Sequence, residues 1–246
     1  MIIIGDIGNT ETKICVVDDN SKIVKKITIP SRMKKKTRLD IFFKKFNFIK
    51  VNKILFCSVV PSTFRSLKKY FKKKTKVRCF ELKQLDLKSI LKIDVNYKQV
   101  GSDRLANAIS LSDKKKNFII LDFGTATTFD VLISNNYKGG IISPGIKISL
   151  NTLFDSASLI PKINLKKIHK VIGKDTKSAV RSGFFWGYAG LIDNIINLIK
   201  KETGKSYKVV ITGGFSKLFK NSIKTKTKQD FDITINGLSK ASKLIK

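Results

Sequence analysis

The residues best able to do chemistry are aspartates that follow short apolar runs. Asp6 stands in I-I-I-G-D-I-G-N-T-E-T-K, Asp122 in F-I-I-L-D-F-G-T-A-T-T, and Asp103 in G-S-D-R. In the first two, a buried-looking run ends in Asp-x-Gly, passes through hydroxyl or amide residues and returns to a second apolar run. That pattern predicts strand, tight turn, strand. Glycine lets backbone approach a ligand, so successive N–H groups can point at an anion. Asn9, Thr10, Thr125, Thr127 and Thr128 add short donors within reach of phosphate oxygens. An aspartate at such a turn repels phosphate unless a cation lies between them, so Asp6 and Asp122 imply bound metal. The plainer alternative is a hairpin with a polar turn.

Two copies weaken that alternative. Residues 2–17 align with 118–133 without a gap, placing Asp6 on Asp122, Gly8 on Gly124, Asn9 on Thr125 and Thr12 on Thr128. Internal repeats carry architecture. Asp103 and Arg104 follow Gly101 and Ser102 at the predicted start of a helix. There Asp103 could simply cap and Arg104 face solvent, but glycine, acid and base together suit substrate positioning. The glycines at 137–145 and Gly213-Gly214 are further places where backbone could meet a nucleotide.

Composition bounds the rest. A chain of 246 residues with 42% hydrophobic content can bury a sizeable core. No stretch approaches the ~20 apolar residues of a membrane span, and Gly5 and Asp6 break the opening run, so neither a signal peptide nor a membrane partner is expected. Cys15, Cys57 and Cys79 form no C-x-x-C and read as reduced thiols of a cytoplasmic protein; His169 is the single histidine, which argues against a zinc site. The net charge is +32, from 50 basic against 18 acidic residues. A nucleic-acid partner is one reading. Against it, only Arg32, Arg38, Arg65, Arg78, Arg104 and Arg181 are arginine, and the lysines are scattered rather than gathered in one stripe. No specific nucleic-acid partner is expected, although incidental binding at low salt is.

The elements that must position these residues alternate between strand and helix, which predicts an α/β fold. Residues 1–29 predict the first turn and a second hairpin, 30–38 a basic loop, 39–49 a helix, and 53–60 a buried strand closed by Pro61. A helix capped by Ser62 is expected to about Lys72, a strand at 76–81, and a helix over 105–111. The second half predicts a strand at 117–121, the repeated turn, a helix at 146–159, an exposed basic stretch at 164–171 and a long helix at 176–199. In that helix Ser182, Gly183, Gly187, Ala189 and Gly190 allow close packing, and its aromatics suit core or subunit interface. A strand at 208–212, a helix, a short strand around 231–235 and a lysine-rich terminal helix complete the chain.

The blocks D-I-G-N-T, S-V-V-P, G-S-D-R, D-F-G-T-A-T-T, G-G-I-I-S-P-G, S-G-F-F-W-G-Y-A-G and I-T-G-G, in that order over 4–214, resemble the type III pantothenate kinases of the actin-like ATPase and sugar-kinase superfamily. The resemblance implies two ribonuclease-H-like halves, 1–113 and 114–246, with ATP held between the two Asp-Gly turns. It implies ATP-dependent phosphorylation of pantothenate to 4′-phosphopantothenate, the first step of coenzyme A biosynthesis, by a homodimer whose active sites lie at the subunit interface. Asp6, Ile7, Gly8, Asn9, Thr10, Glu11, Thr12 and Lys13 would form the first phosphate loop, with Asp6 near Mg²⁺ through water. Gly101, Ser102, Asp103 and Arg104 would contact pantothenate, with Asp103 as general base. Asp122 would bind a monovalent cation, K⁺ or NH₄⁺; Thr125 would contact ATP, and Thr176 would contact pantothenate.

Such a site needs positioning, charge neutralisation and an oriented hydroxyl more than covalent help. Asp103 could accept the hydroxyl proton, Arg104 could pair with a carboxylate, and Lys13 could offset triphosphate charge. One departure stands out: the family's substrate tyrosine, seven residues before the glycine, is Asp94 here, with Tyr97 three residues later. It keeps open a kinase for another small alcohol or acid. A basic regulatory protein that keeps the fold and binds nucleic acid is the other alternative; the three acids argue against it.

Overall fold

The computed structural model describes residues 1–31 and 36–245. Residues 32–35 of the expected basic loop and Lys246 of the expected terminal helix lie outside the described residues. Two compact units form: Met1–Ser112 with Asn135–Tyr137 and Asp232–Lys246, and Asp113–Ser134 with Lys138–Phe231. The single cut expected after 113 falls beside the first boundary, but two later segments return to the first unit.

The first unit is built on β1 (Ile2–Ile7), β2 (Glu11–Val17), β3 (Ile23–Pro30), β4 (Lys53–Ser58) and β5 (Cys79–Glu81), in the order β3-β2-β1-β4-β5. β1 is antiparallel to β2 and parallel to β4, and β5 continues the parallel side. The continuous apolar runs of β1 and β4 occupy the centre, where both faces are covered. Of the helices α1 (Lys36–Phe42), α2 (Pro61–Lys72) and α3 (Ser102–Leu111), α2 buries Thr63, Leu67 and Phe71, one face at four-residue spacing.

Two helix ends differ from expectation. Pro61 begins α2 instead of closing a strand, and Ser62 lies inside the helix with no side-chain cap; proline's fixed φ suits a first helical position. The helix expected over 39–49 stops at Phe42. There Phe43 turns in to meet Phe46 and Phe48 at 5.3 and 5.2 Å, and Asn47 starts a separate 3-10 turn, Phe48–Lys50. A two-residue strand, β6 (Lys92–Ile93), pairs with Asn136 and Tyr137 within the same unit.

The second unit repeats the strand order. β7 (Phe118–Phe123), β8 (Ala126–Ile133), β9 (Asn136–Pro144), β10 (Lys208–Gly213) and β11 (Thr227–Gln229) run β11-β10-β7-β8-β9. β7 is antiparallel to β8 and parallel to β10, as β1 is to β2 and β4. The sequence repeat is therefore a repeat of fold, with Asp6 and Asp122 as penultimate residues of equivalent central strands. The glycine-rich stretch is strand β9, and Gly145 leads into α4 (Ile146–Ser156).

The long helix α5 (Thr176–Thr203) is opened by the Asp175–Ser178 capping box and closed by Gly204 at φ 62°. Phe185, Ala189, Ile192, Ile196 and Ile199 face its core. Ser182 and Ala189 are buried, but on another face a Cβ at Gly183, Gly187 or Gly190 would meet nothing within 4 Å, so at those three glycines the expected close packing is not made by described residues of this chain. After the short α6 (Ser216–Phe219) and β11, the strand expected around 231–235 is instead the start of α7 (Ile233–Ala241), in the first unit. Packing overrides the β-branched preference of Ile233-Thr234-Ile235. A Cβ at Gly237 would lie 1.8 Å from the Ala106 carbonyl oxygen, and Thr234 shares a buried 2.7 Å hydrogen bond with Asn107 of α3.

Candidate active site

In the first unit the carboxyl ends of β1, β4 and β5 meet the N-terminus of α3. Asp6 lies in register with Cys57 across the parallel β1–β4 pair, and the Cys57 thiol donates to Asp6 Oδ1 at 3.4 Å. Burial, then the nearby Asp103 charge, pushes the Asp6 carboxyl up to about 6, against the Cys57 hydrogen bond and Lys13. Burial holds the Cys57 thiol well above the usual range, so it is a neutral donor and no thiolate nucleophile. Asp103 is also raised by burial, opposed by the N–H and charge of Arg104. Two half-buried carboxylates that repel each other suit a cation.

Asp103 turns back over its own helix end: its Oδ1 accepts the Arg104 N–H at 2.8 Å. Gly101 is the N-cap and supplies no side-chain bond. Ser102, 3% exposed, donates its hydroxyl to Glu81 Oε1 at 2.5 Å. A cleft of about 390 Å³ opens here, walled by Ser58, Glu81, Lys83, Lys98, Gly101 and Ser102. Tyr97 is committed nearby, donating to the Lys83 carbonyl at 3.2 Å with Lys83 Nζ over its ring. A larger cleft of about 720 Å³ at the opposite end of β5 is walled by Lys72, Lys76 and Arg78 among others; its lining carries no carboxylate.

The first turn is tight. Gly8 N–H donates to the Glu11 carbonyl at 2.9 Å, while Asn9, Thr10 and Glu11 are exposed and Ile7 and Thr12 are buried. Ser31 braces it by donating its hydroxyl to the Gly8 carbonyl at 2.6 Å and its N–H to the Thr10 carbonyl at 2.7 Å. Lys13 lies 3.9 Å from Asp232, which Lys26 approaches to 2.5 Å. Ser31, Cys57, Glu81 and Asp232 are absent from the expected site.

In the second unit Asp122 lies over Gly213, at φ 84°; a Cβ there would stand 2.6 Å from Asp122 Oδ1. Gly145 approaches so closely that a Cβ would lie 2.1 Å from the Thr125 carbonyl oxygen. Ser216 Oγ donates to the Gly213 carbonyl at 2.7 Å, fixing that turn. Thr125 is exposed, and the buried Thr127 Oγ1 has no hydrogen-bond partner among the described residues. Thr176 is the exposed first residue of α5. No group of three His, Cys, Asp or Glu able to hold a metal occurs among the described residues, and no helix there is long and apolar enough to cross a membrane.

A family model for type III pantothenate kinase matches residues 2–198. The chain belongs to the type III pantothenate kinase family. A type III pantothenate kinase of Pelagibacter ubique is 61% identical over 248 aligned residues, covering all of both chains. Among solved structures, a Campylobacter jejuni protein described as a Baf family transcriptional activator is similar at 21% identity and TM-score 0.62, over 98% of this chain and 97% of that one. A 2-dehydro-3-deoxygalactonokinase-like protein of Sinorhizobium meliloti aligns at 10% identity and TM-score 0.62, over 100% and 99%. At those identities the two structures speak for the fold alone. In this chain Asp103 and Asp122 each fill room left by a glycine, Gly101 and Gly213.

Proposed function

We infer that the chain phosphorylates pantothenate with ATP, giving 4′-phosphopantothenate at the start of coenzyme A biosynthesis. Full-length 61% identity to a type III pantothenate kinase carries this reading. The geometry of Asp103 supports its role as general base. It sits at a helix N-terminus beside a cleft of small-molecule size, and its raised pKa suits a group that must take a proton from the attacking hydroxyl. Gly101, Ser102 and Arg104 are its proposed partners in holding pantothenate, with Thr176. Residues 6–13 and Thr125 are assigned to ATP, and the exposed Asn9 and Thr10 turn supports the phosphate contact.

Two cations fit the residues present. The raised pKa of Asp6 reflects a buried charge that Mg²⁺ would offset, and Mg²⁺ keeps most of its waters and asks little of the protein. When bound it neutralises charge on the phosphates. Asp122, penultimate in β7, is the carboxylate assigned to a monovalent cation, K⁺ or NH₄⁺. The open glycine face of α5 supports a homodimer, and three buried free cysteines suit the cytoplasm.

The test is ADP release from ATP and Mg²⁺, with and without pantothenate, in K⁺ and then Na⁺ buffer. Pantothenate-dependent turnover that falls in Na⁺ is expected. Folded protein with none in either buffer would redirect the assignment to another acceptor, with the Asp94 position as the first suspect.

A further inference from the structure

We propose that Glu81 is a positioning residue for phosphoryl transfer, acting through Ser102 to fix the first turn of α3 and with it the direction of the Asp103 carboxylate. Glu81 is the last residue of β5 and is clamped by the turn that follows. Its Oε2 accepts the Lys83 N–H at 2.8 Å, and its own N–H donates to Gln84 Oε1 at 3.0 Å. That leaves Oε1 aimed at Ser102 Oγ, 2.5 Å away and 21 positions along the chain. Ser102 is only 3% exposed, so water competes little for its hydroxyl. Its other acceptor, the Ser58 carbonyl, is at 3.5 Å, the edge of hydrogen-bond range, so the single proton goes to Glu81.

The bond is charge-assisted, the stronger class. It matters at this helix end because Gly101 supplies no cap and Asp103 spends an oxygen on the neighbouring Arg104 N–H. The Glu81–Ser102 bond therefore ties the first turn of α3 to the sheet, one residue before the proposed base. A displacement of about 1 Å at a reacting group can cost about a hundredfold in rate.

The proposal rests on the Asp103 end of α3 being where the acceptor reacts, and the experiment separates the two. Glu81→Ala, Ser102→Ala and the double variant are assayed at saturating ATP with pantothenate varied, then at saturating pantothenate with ATP varied. Glu81→Ala is expected to lower kcat about tenfold and to leave KM for ATP within about twofold of its original value. The double variant should be no slower than the slower single one, because both break the same link. Effects that multiply, or a Glu81→Ala rate within about twofold of the unmodified enzyme, overturn the proposal. Glu81→Gln, whose amide oxygen can still accept from Ser102, should recover most of the lost kcat and stands in if the alanine variant fails to fold. A folded glutamine variant no faster than Ser102→Ala overturns it as well. Asp103→Asn in the same assays tests the base separately: full turnover there removes Asp103 from that role whatever the coupling between Glu81 and Ser102.

Discussion

The Asp103 carboxylate occupies the space that a side chain on Gly101 would fill: a Cβ there would stand 2.5 Å from Oδ1 of Asp103. Gly101 has φ −62° and ψ 142°, a conformation any residue adopts. Glycine is needed there for room and not for backbone freedom. Gly101→Ala should therefore fold normally, with an unchanged melting temperature, while kcat falls about a hundredfold as Asp103 is displaced. Turnover within threefold of the parent, roughly, would show that the carboxylate can move without penalty.

Asp103→Asn removes the proton acceptor and keeps the shape. Turnover should fall by about 10²–10⁴, the usual worth of a general base. ATP affinity, measured by calorimetry, should stay nearly intact. Equal loss of both would show a structural part for Asp103 instead.

Asp6 sets function against stability. Folded Asp6 keeps its proton up to about pH 6, whereas its ordinary value is 3.8. The folded state thus binds more protons between those values, and stability falls as pH rises through that window. Above it the shift costs about 3 kcal/mol. Without Mg²⁺, Asp6→Asn should raise the melting temperature at pH 7 and above, with the gain shrinking toward about pH 4. The variant should also lose turnover. A gain that does not change with pH would remove Asp6 titration as its cause.

The exposed glycine face of α5 gives a clean separation of fold from assembly. Gly187→Leu places its side chain in open space within the chain and replaces a poor helix former with a good one, worth up to about 1 kcal/mol. The chain should keep its secondary structure, and light scattering should show that the proposed homodimer is lost. An intact dimer would place the subunit contact elsewhere.

What was legible in the sequence was local. Asp6, Gly8, Asp122, Gly101 and Asp103 are found from a few neighbouring letters, because a strand end or a helix start is written in adjacent residues. The repeat exposed the common strand order of the two units for the same reason. The supporting residues are long-range. Cys57 reaches Asp6 from 51 positions away and Ser31 reaches Gly8 from 23. Nothing in their own surroundings marks them. Ile233-Thr234-Ile235 misled because local β-preference lost to the fit of Gly237 against α3.

That fit has a consequence for how the protein is made. Asn107 and Thr234, buried partners, are 127 positions apart, with nearly the whole second unit between them. During synthesis from the N-terminus, the helix that carries Asp103 leaves the ribosome long before α7 exists to cover it. Until then its apolar face is bare, a hazard for a nascent chain and a natural hold-point for a chaperone. The packing that covers α3 is complete only once α7 is made, although the proposed base on α3 comes early.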